Sequence, residues 1–185
     1  QGMYAHGQAT IVLVEALAMT GDERFRQPAQ LAVDFIVAAQ HDEGGWRYRP
    51  GEAGDTSVLG WQLMALQSAR SPGTGLRVPD TSLKLASNYL DLASAQEGSL
   101  YRYQPRQGQK PTPSMTAEAL LCRVYLGWTR DDPRLRKGMN WLREKHPPQE
   151  TSDSLYYWYY GTQLFHHLGG EAWDQWNTEM RDLLV

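Results

Sequence analysis

Apolar residues recur along nearly the whole chain at the three- and four-residue spacing that places side chains on one face of a helix. Ile11, Val14 and Leu17 form the first such stripe, and residues that favour turns separate it from the next. The spacing predicts eight helices, at about 7–19, 25–39, 56–70, 81–92, 115–127, 133–146, 155–168 and 171–184. No segment alternates apolar and polar residues with a period of two, so we predict no β-sheet. The pattern therefore predicts an all-α protein of about four antiparallel helical hairpins.

One string of residues occurs twice, at a spacing of roughly 50 residues, which is typical of repeat architectures. Residues 36–50 are IVAAQHDEGGWRYRP, and a degraded copy at 92–105 is LASAQEGSLYRYQP. Each copy ends one predicted helix and comes shortly before another. We assign a structural role in the repeat to five residues of the two copies: Gln40, Gly45, Trp46, Gln96 and Tyr101. Because a helical hairpin cannot bury its apolar face alone, neighbouring copies must stack on one another.

Weaker matches extend the repeat along the chain. Residues 22–26, DERFR, resemble residues 132–136, DPRLR, at the start of two predicted helices. A third copy begins at Lys137, and in it Lys145 stands where the glutamine would be. The repeat therefore covers most of the chain, and we expect a single repeat domain over residues 1–185 that is a fragment of a larger protein.

The order apolar–x3–Gln–x3–Gly–Gly–Trp, placed between helices of a hairpin repeat, resembles the QW repeat of squalene–hopene and oxidosqualene cyclases. More broadly, it is similar to the prenyltransferase and squalene oxidase repeat family. The copy at 36–46 is the good match. The resemblance implies a partial α/α toroid whose inner helices are the first, third, fifth and seventh, with the others forming an outer layer. It also implies that the side chains of the Gln and Trp hold one hairpin against the next, a contact that we call the staple.

The same resemblance implies that chemistry takes place at the N-terminal ends of the inner helices. Asp55 matches the last acid of the bacterial cyclases' Asp-x-Asp-Asp-Thr-Ala string, and Gly54 stands at the position of the proton donor. Glu118 matches the end of the oxidosqualene cyclases' Asp-Cys-Thr-Ala-Glu string, and Ser114 replaces its acid. Protonation of an alkene or epoxide needs a neutral carboxylic acid aimed at the substrate. We therefore do not expect this chain alone to cyclise a polyene.

Asp55 and Glu118 remain the candidate catalytic residues. For Asp55 the alternative is an N-cap, since aspartate is a preferred residue at the start of a helix. For Glu118 the alternative is a buried acid paired with Arg123 or with a neighbouring hairpin. His6 aligns with Asp55 at the start of the first predicted helix, where it could bind a ligand in the same cavity. The alternative for His6 is a capping or exposed histidine.

Aromatic side chains supply the remaining candidates for ligand binding. The chain has seven Trp and ten Tyr against three Phe, a set that favours one apolar side and one hydrogen-bonded end. Beside His6, we select five tyrosines from the matched loops and from the dense run at 155–160: Tyr48, Tyr103, Tyr156, Tyr157 and Tyr160. The alternative for Tyr156, Tyr157 and Tyr160 is packing between hairpins. The alternative for Tyr48 and Tyr103, which occur at the same place in both copies, is a structural role in the repeat.

No metal or cofactor is predicted. The protein prenyltransferases of the resembling family hold zinc with Asp, Cys and His, but Ser57 stands where their motif has cysteine. Cys122 is the one cysteine in the chain and lies among apolar residues of a predicted helix, where it resembles a small hydrophobic residue. A disulfide within the chain is excluded.

Charge and hydropathy exclude two classes of partner. The formal net charge is −3 with both signs mixed along the chain, which gives no basic surface for nucleic acid. No run of 18 apolar residues is present, so we predict no membrane span. The chain carries no recognisable targeting signal, and the sequence predicts no compartment.

Three functions are consistent with these patterns. The first is a cyclase-like toroid domain without acid catalysis, which binds an apolar or isoprenoid molecule or serves as a scaffold. The second is an active enzyme on the same fold: a cyclase, a prenyltransferase-like enzyme or a glycan-processing enzyme. The third is an interaction module that pairs with the remainder of a parent chain, or with itself, through the open edges of the toroid.

Overall fold

The computed structural model describes residues 2–149 and 155–185. In these residues the chain forms eight α-helices: α1 (Gly2–Thr20), α2 (Arg26–Ala38), α3 (Thr56–Ala69), α4 (Asp80–Ala93), α5 (Pro113–Tyr125), α6 (Pro133–Lys145), α7 (Leu155–Leu168) and α8 (Gly170–Leu184). Each coincides with a predicted helix, so the all-α prediction is confirmed. Helix α1 begins five residues before its predicted start. No described helix combines the length and the hydropathy needed to cross a membrane.

A two-residue ladder is the exception to the prediction of no sheet. Strand β1 (Ser94–Ala95) pairs antiparallel with β2 (Leu100–Tyr101). The turn between them carries two non-glycine residues with positive φ, 47° at Gln96 and 62° at Glu97. Two residues per strand are too few to show a period of two, which explains why the sequence pattern missed the ladder.

The described helices fall into two compact units, residues 1–92 and 93–185. In the first unit, α1 packs against α2 and α3. In the second unit, α5 packs against α6 and α7, and α7 packs against α8. In both units the first helix of a hairpin therefore contacts its own second helix and the first helix of the next hairpin.

A buried glutamine fixes the contact between α1 and α3. Gln62 of α3 is fully buried, and its Nε2 donates a hydrogen bond of 2.9 Å to the Met3 carbonyl of α1. A Cβ on Gly7 would lie 2.7 Å from that Nε2, so the glycine lets the amide reach α1. Leu59 and Leu63, also of α3, are fully buried and form the apolar part of this core. Burial of each such leucine stabilises the fold by about 2 kcal/mol.

A tryptophan has the corresponding role between α7 and α8. Trp176 of α8 is buried and stacks on Phe165 at 4.6 Å between ring centroids. Its Nε1 donates to the Thr162 hydroxyl at 3.0 Å. A Cβ on Gly161 would lie 2.6 Å from the Trp176 ring, so only glycine allows this approach.

The matched segments 22–26 and 132–136 form the same local structure. Asp22 accepts from the backbone N–H of Arg24 at 3.0 Å, and Asp132 accepts from that of Arg134 at 2.9 Å. Each arginine also pairs with its aspartate, at 2.6 Å and 2.7 Å. These hydrogen bonds lower the pKa of both carboxyl groups. The similarity seen in the sequence therefore corresponds to a repeated N-cap.

Candidate functional site

The loop of the first repeat copy, which follows α2 in the chain, is hydrogen-bonded to both α2 and α4. Trp46 is fully buried, and its Nε1 donates to the Ile36 carbonyl of α2 at 2.7 Å. Gln40 Nε2 donates to the carbonyls of Gly44 at 2.8 Å and Ser82 at 3.0 Å. The Ser82 hydroxyl donates back to Gln40 Oε1 at 2.7 Å. Because Ser82 lies in the first turn of α4, the Gln40 amide holds together the end of α2, the loop and the first turn of α4.

Two glycines bring the backbone of this loop against α4. A Cβ on Gly44, which has a φ of +93°, would lie 1.9 Å from the Leu85 carbonyl oxygen. A Cβ on Gly45 would lie 2.7 Å from the Tyr89 ring. A side chain at Gly44 would require the backbone of α4 to move, and one at Gly45 would collide with the Tyr89 ring and with Gly54, which accounts for the Gly-Gly pair before Trp46.

Gly54 closes the other side of the same loop. A Cβ on Gly54 would lie 2.6 Å from the Cα of Gly45 and 2.9 Å from the backbone nitrogen of Trp46. The adjacent Asp55 N–H donates to the Trp46 carbonyl at 2.9 Å, so the two backbone segments are held together. The space beside Gly54 is therefore filled by backbone, and no acid side chain fits at this position in this conformation.

Asp55 is the N-cap of α3, which confirms the alternative predicted for it. Its side chain is fully buried. Oδ1 accepts from the Val58 N–H at 2.9 Å and from the Ser57 hydroxyl at 2.8 Å. Oδ2 lies 3.7 Å from Nε of Arg47. The Val58 N–H and the Ser57 hydroxyl thus hold the carboxyl group at the N-terminus of α3.

Aromatic and charged side chains surround an open depression beside this cap. Tyr48 is half-buried and stacks on Tyr4 at 6.2 Å, and Tyr4 also contacts Trp61 at 6.2 Å. The depression has a volume of about 750 Å³ and is lined by Arg47, Tyr48, Arg49, Glu52 and Ala53. Of the predicted ligand-binding residues, Tyr48 lines it. The sequence pattern gave no reason to select Tyr4 and Trp61, because they come from two different helices.

His6 lies away from this depression. Its Nε2 is 3.0 Å from the Ala32 carbonyl of α2, and its ring is 4.6 Å from that of Phe35. Since α1 begins at Gly2, His6 is a full turn inside the helix and not at its start, where we expected it. The structure therefore brings His6 to α2 and not to Asp55.

Glu118 links α5 to α7 in the second unit. It is fully buried, and its Oε2 accepts from the Tyr156 hydroxyl at 2.7 Å. A partner from a neighbouring hairpin was one of the predicted alternatives, and Tyr156 supplies it. Burial, together with the negative charge of Glu118, raises the pKa of the Cys122 thiol well above its ordinary value. That thiol is therefore held in its unreactive protonated form.

Tyr157 and Tyr160 of α7 are buried. Tyr160 is fully buried and contacts the Tyr156 ring at 4.9 Å. The Tyr157 hydroxyl donates to the His146 carbonyl at 2.7 Å, and its ring meets Trp176 edge-on at 5.6 Å. Burial raises the pKa of Tyr157 well above its ordinary value, so its phenol stays protonated. These contacts are those of the packing alternative.

The second repeat copy keeps the buried aromatic residue but changes its partners. Tyr101 is fully buried; its hydroxyl donates to the Gly98 carbonyl at 3.0 Å and accepts from Nε of Arg123 at 3.0 Å. Arg123 is itself buried and lies 4.9 Å from the Trp128 ring centroid. Tyr103, further along the same loop, is half-buried. The matched tryptophan and tyrosine are therefore held by different groups.

The staple expected at Gln96 is absent from the described structure. Gln96 is exposed, and its backbone carbonyl, not its side chain, accepts from Ser99. The third residue of α6 is Leu135, whereas the third residue of α4 is Ser82. Because leucine offers no hydroxyl to the amide, the partner that would hold a glutamine is missing.

In residues 2–149 and 155–185, no three His, Cys, Asp or Glu side chains cluster closely enough to hold a metal ion. Comparisons of the chain with protein-family models, with curated proteins and with solved structures found no match. The resemblance to the QW-repeat cyclases therefore rests on the residues quoted above.

Proposed function

We propose that this chain is a squalene-cyclase-like α/α-toroid repeat domain that performs no acid catalysis and binds an apolar or isoprenoid molecule. The observation that carries the proposal is the contact of Gly54 with the backbone of Gly45 and Trp46, which occupies the proton donor's place. Helices α1, α3, α5 and α7 form the inner layer of the proposed toroid. The packing of α1 on α3, and separately of α5 on α7, supports this assignment.

The two remaining acids support the fold in this proposal. An acid catalyst must present its proton to the substrate. Asp55 is fully buried and oriented by the cap of α3, and Glu118 is fully buried and oriented by Tyr156. Neither lines the depression beside Arg47 and Tyr48. These contacts weigh against the active-enzyme alternative.

Exposed apolar side chains supply the proposed contact with an apolar molecule. Val12 and Met19 lie two turns apart on one face of α1, and they are 67% and 85% exposed. On α7, Leu155 is 75% exposed. Large apolar side chains left in contact with water favour an apolar partner. The same observation favours a second candidate, an interaction module that covers these residues with another protein surface.

The proposal is tested by incubating the purified chain with squalene and with oxidosqualene. We expect each lipid to raise the unfolding temperature, because a ligand that binds only the folded state stabilises it. We also expect gas chromatography with mass spectrometry of the same samples to find the lipid unchanged. A cyclised product would refute the absence of catalysis. An unchanged unfolding temperature would refute lipid binding and leave the interaction module as the better candidate.

A further inference from the structure

A groove runs along one face of α6 in the second unit. Its volume is about 520 Å³, within the range typical of small-molecule sites. Nine residues of α6 and of the second repeat loop line it: Gln96, Leu100, Pro133, Arg136, Lys137, Asn140, Trp141, Glu144 and Lys145. None of them belongs to the sites described above for Asp55 or Glu118.

Loss of the staple in the second repeat copy places an amide in this groove. Gln40 is held by Ser82 in the first copy, whereas Gln96 is exposed and lines the groove. Gln96 and Glu97 both adopt positive φ, a conformation that is unfavourable for side-chain-bearing residues and recurs at binding sites. Asn140 of α6 adds a second amide to the lining.

Positive charge dominates the lining. Among the described residues of the lining, three carry positive charge, Arg136, Lys137 and Lys145, and one carries a carboxylate, Glu144. Lys137 also lies 3.3 Å from Glu97, but both side chains are at least half exposed, and such pairs are weak. Arg136 lies in the first turn of α6, where the helix dipole disfavours cations. Lys145, in the last turn, is favoured by the same dipole, so the stability of the helix accounts for Lys145 but not for Arg136.

An aromatic ring completes the groove. Trp141 is half-buried beside the cations and is supported from within the same unit by His146, at 4.3 Å between ring centroids. Arg136, Lys137, Asn140, Trp141, Glu144 and Lys145 lie at helical spacing on one continuous face. The groove thus offers cations for an anion, a ring for stacking and two amides for hydroxyl groups.

We infer that this groove binds a small ring compound that carries a phosphate group. A phosphate monoester has a charge between about −1.5 and −2 at neutral pH, which the excess of cations can balance. Arginine and lysine are the side chains that hold phosphate, and tryptophan stacks on sugar or base rings. A sugar phosphate and a nucleotide share this chemistry.

The inference is tested by isothermal titration calorimetry at low salt on the whole chain. The probes are glucose 6-phosphate, AMP, glucose, adenosine and inorganic phosphate. We expect at least one phosphorylated ring compound to bind ten-fold or more tightly than both its neutral parent and inorganic phosphate. Tight binding of glucose 6-phosphate would identify the ligand as a sugar phosphate, and tight binding of AMP would identify it as a nucleotide. Equal affinity for inorganic phosphate, or no binding of either compound, would overturn the inference.

Variants of α6 locate the site. We expect the double variant Arg136→Gln, Lys137→Gln to bind the phosphorylated compound at least ten-fold more weakly. Trp141→Leu should reduce its affinity to that of inorganic phosphate. Arg143→Gln is the matched control, because it removes a charge from the same helix outside the groove, and it should bind as the wild type does.

The double variant changes two exposed side chains, so its circular dichroism spectrum and its unfolding temperature should match those of the wild type. Unchanged affinity in this folded variant would overturn the inference. Binding of a glutamate-rich peptide, with neither phosphorylated compound bound, would also overturn it and would indicate a protein partner instead.

Discussion

Single residues decide what the candidate site can do. Gly54 and Asp55 are adjacent, and both could be selected from the sequence through the cyclase resemblance. The sequence also showed that Gly54 cannot donate a proton. It could not show that the space beside Gly54 is filled by the backbone of Gly45 and Trp46, because that contact joins residues from opposite ends of a loop.

The close packing at Gly54 predicts a large effect from one added methyl group. We expect Gly54→Ala to lower the free energy of unfolding by about 2–3 kcal/mol, because the new Cβ would force two backbone segments apart. Urea titration followed by circular dichroism measures the change. Gly2→Ala is the control, since its Cβ would make an ordinary contact at 3.6 Å with the Tyr48 carbonyl. Equal stability of the two variants would show that the loop is looser than described.

At the scale of helices and loops, the periodic pattern predicted the eight α-helices of the described residues and little of what joins them. The start of α1 was predicted five residues too late, because residues 2–6, GMYAH, carry too few apolar positions to extend the apolar stripe. The β1–β2 ladder is too short for a period. The prediction of a staple at Gln96 failed for a different reason. In the first copy the glutamine is held by Ser82, the third residue of α4, whereas the third residue of α6 is Leu135.

The difference between the two glutamines predicts unequal effects of the same substitution. We expect Gln40→Ala to lower the free energy of unfolding by about 1–3 kcal/mol, because it removes the bonds to Gly44 and Ser82. Gln96→Ala should change it by less than about 0.5 kcal/mol, since that side chain is exposed. Urea unfolding of the two variants in parallel measures both effects, and each is the control for the other. A larger loss at Gln96 would contradict the assignment of the staple.

For the molecule as a whole, the sequence predicted the all-α fold class, and in each compact unit the first helix of one hairpin packs on the first helix of the next. Asp55 lies at the start of α3, and Glu118 lies in the second turn of α5. The sequence could not identify the residues that hold them. Val58 and Ser57 hold Asp55 through local turn geometry, whereas Tyr156 reaches Glu118 from another helix. We propose that these two acids stabilise the protein and do not perform catalysis.

The most direct test of that claim is the free energy of unfolding of Asp55→Ala, measured by urea titration beside Asp55→Asn. Alanine removes the cap of α3 and leaves the buried Ser57 hydroxyl without its acceptor, so we expect a loss of about 2–3 kcal/mol. Asparagine keeps an oxygen that caps a helix nearly as well, and it should lose less than half as much. If both variants had the same midpoint of urea unfolding as the wild type, a structural role for Asp55 would be contradicted.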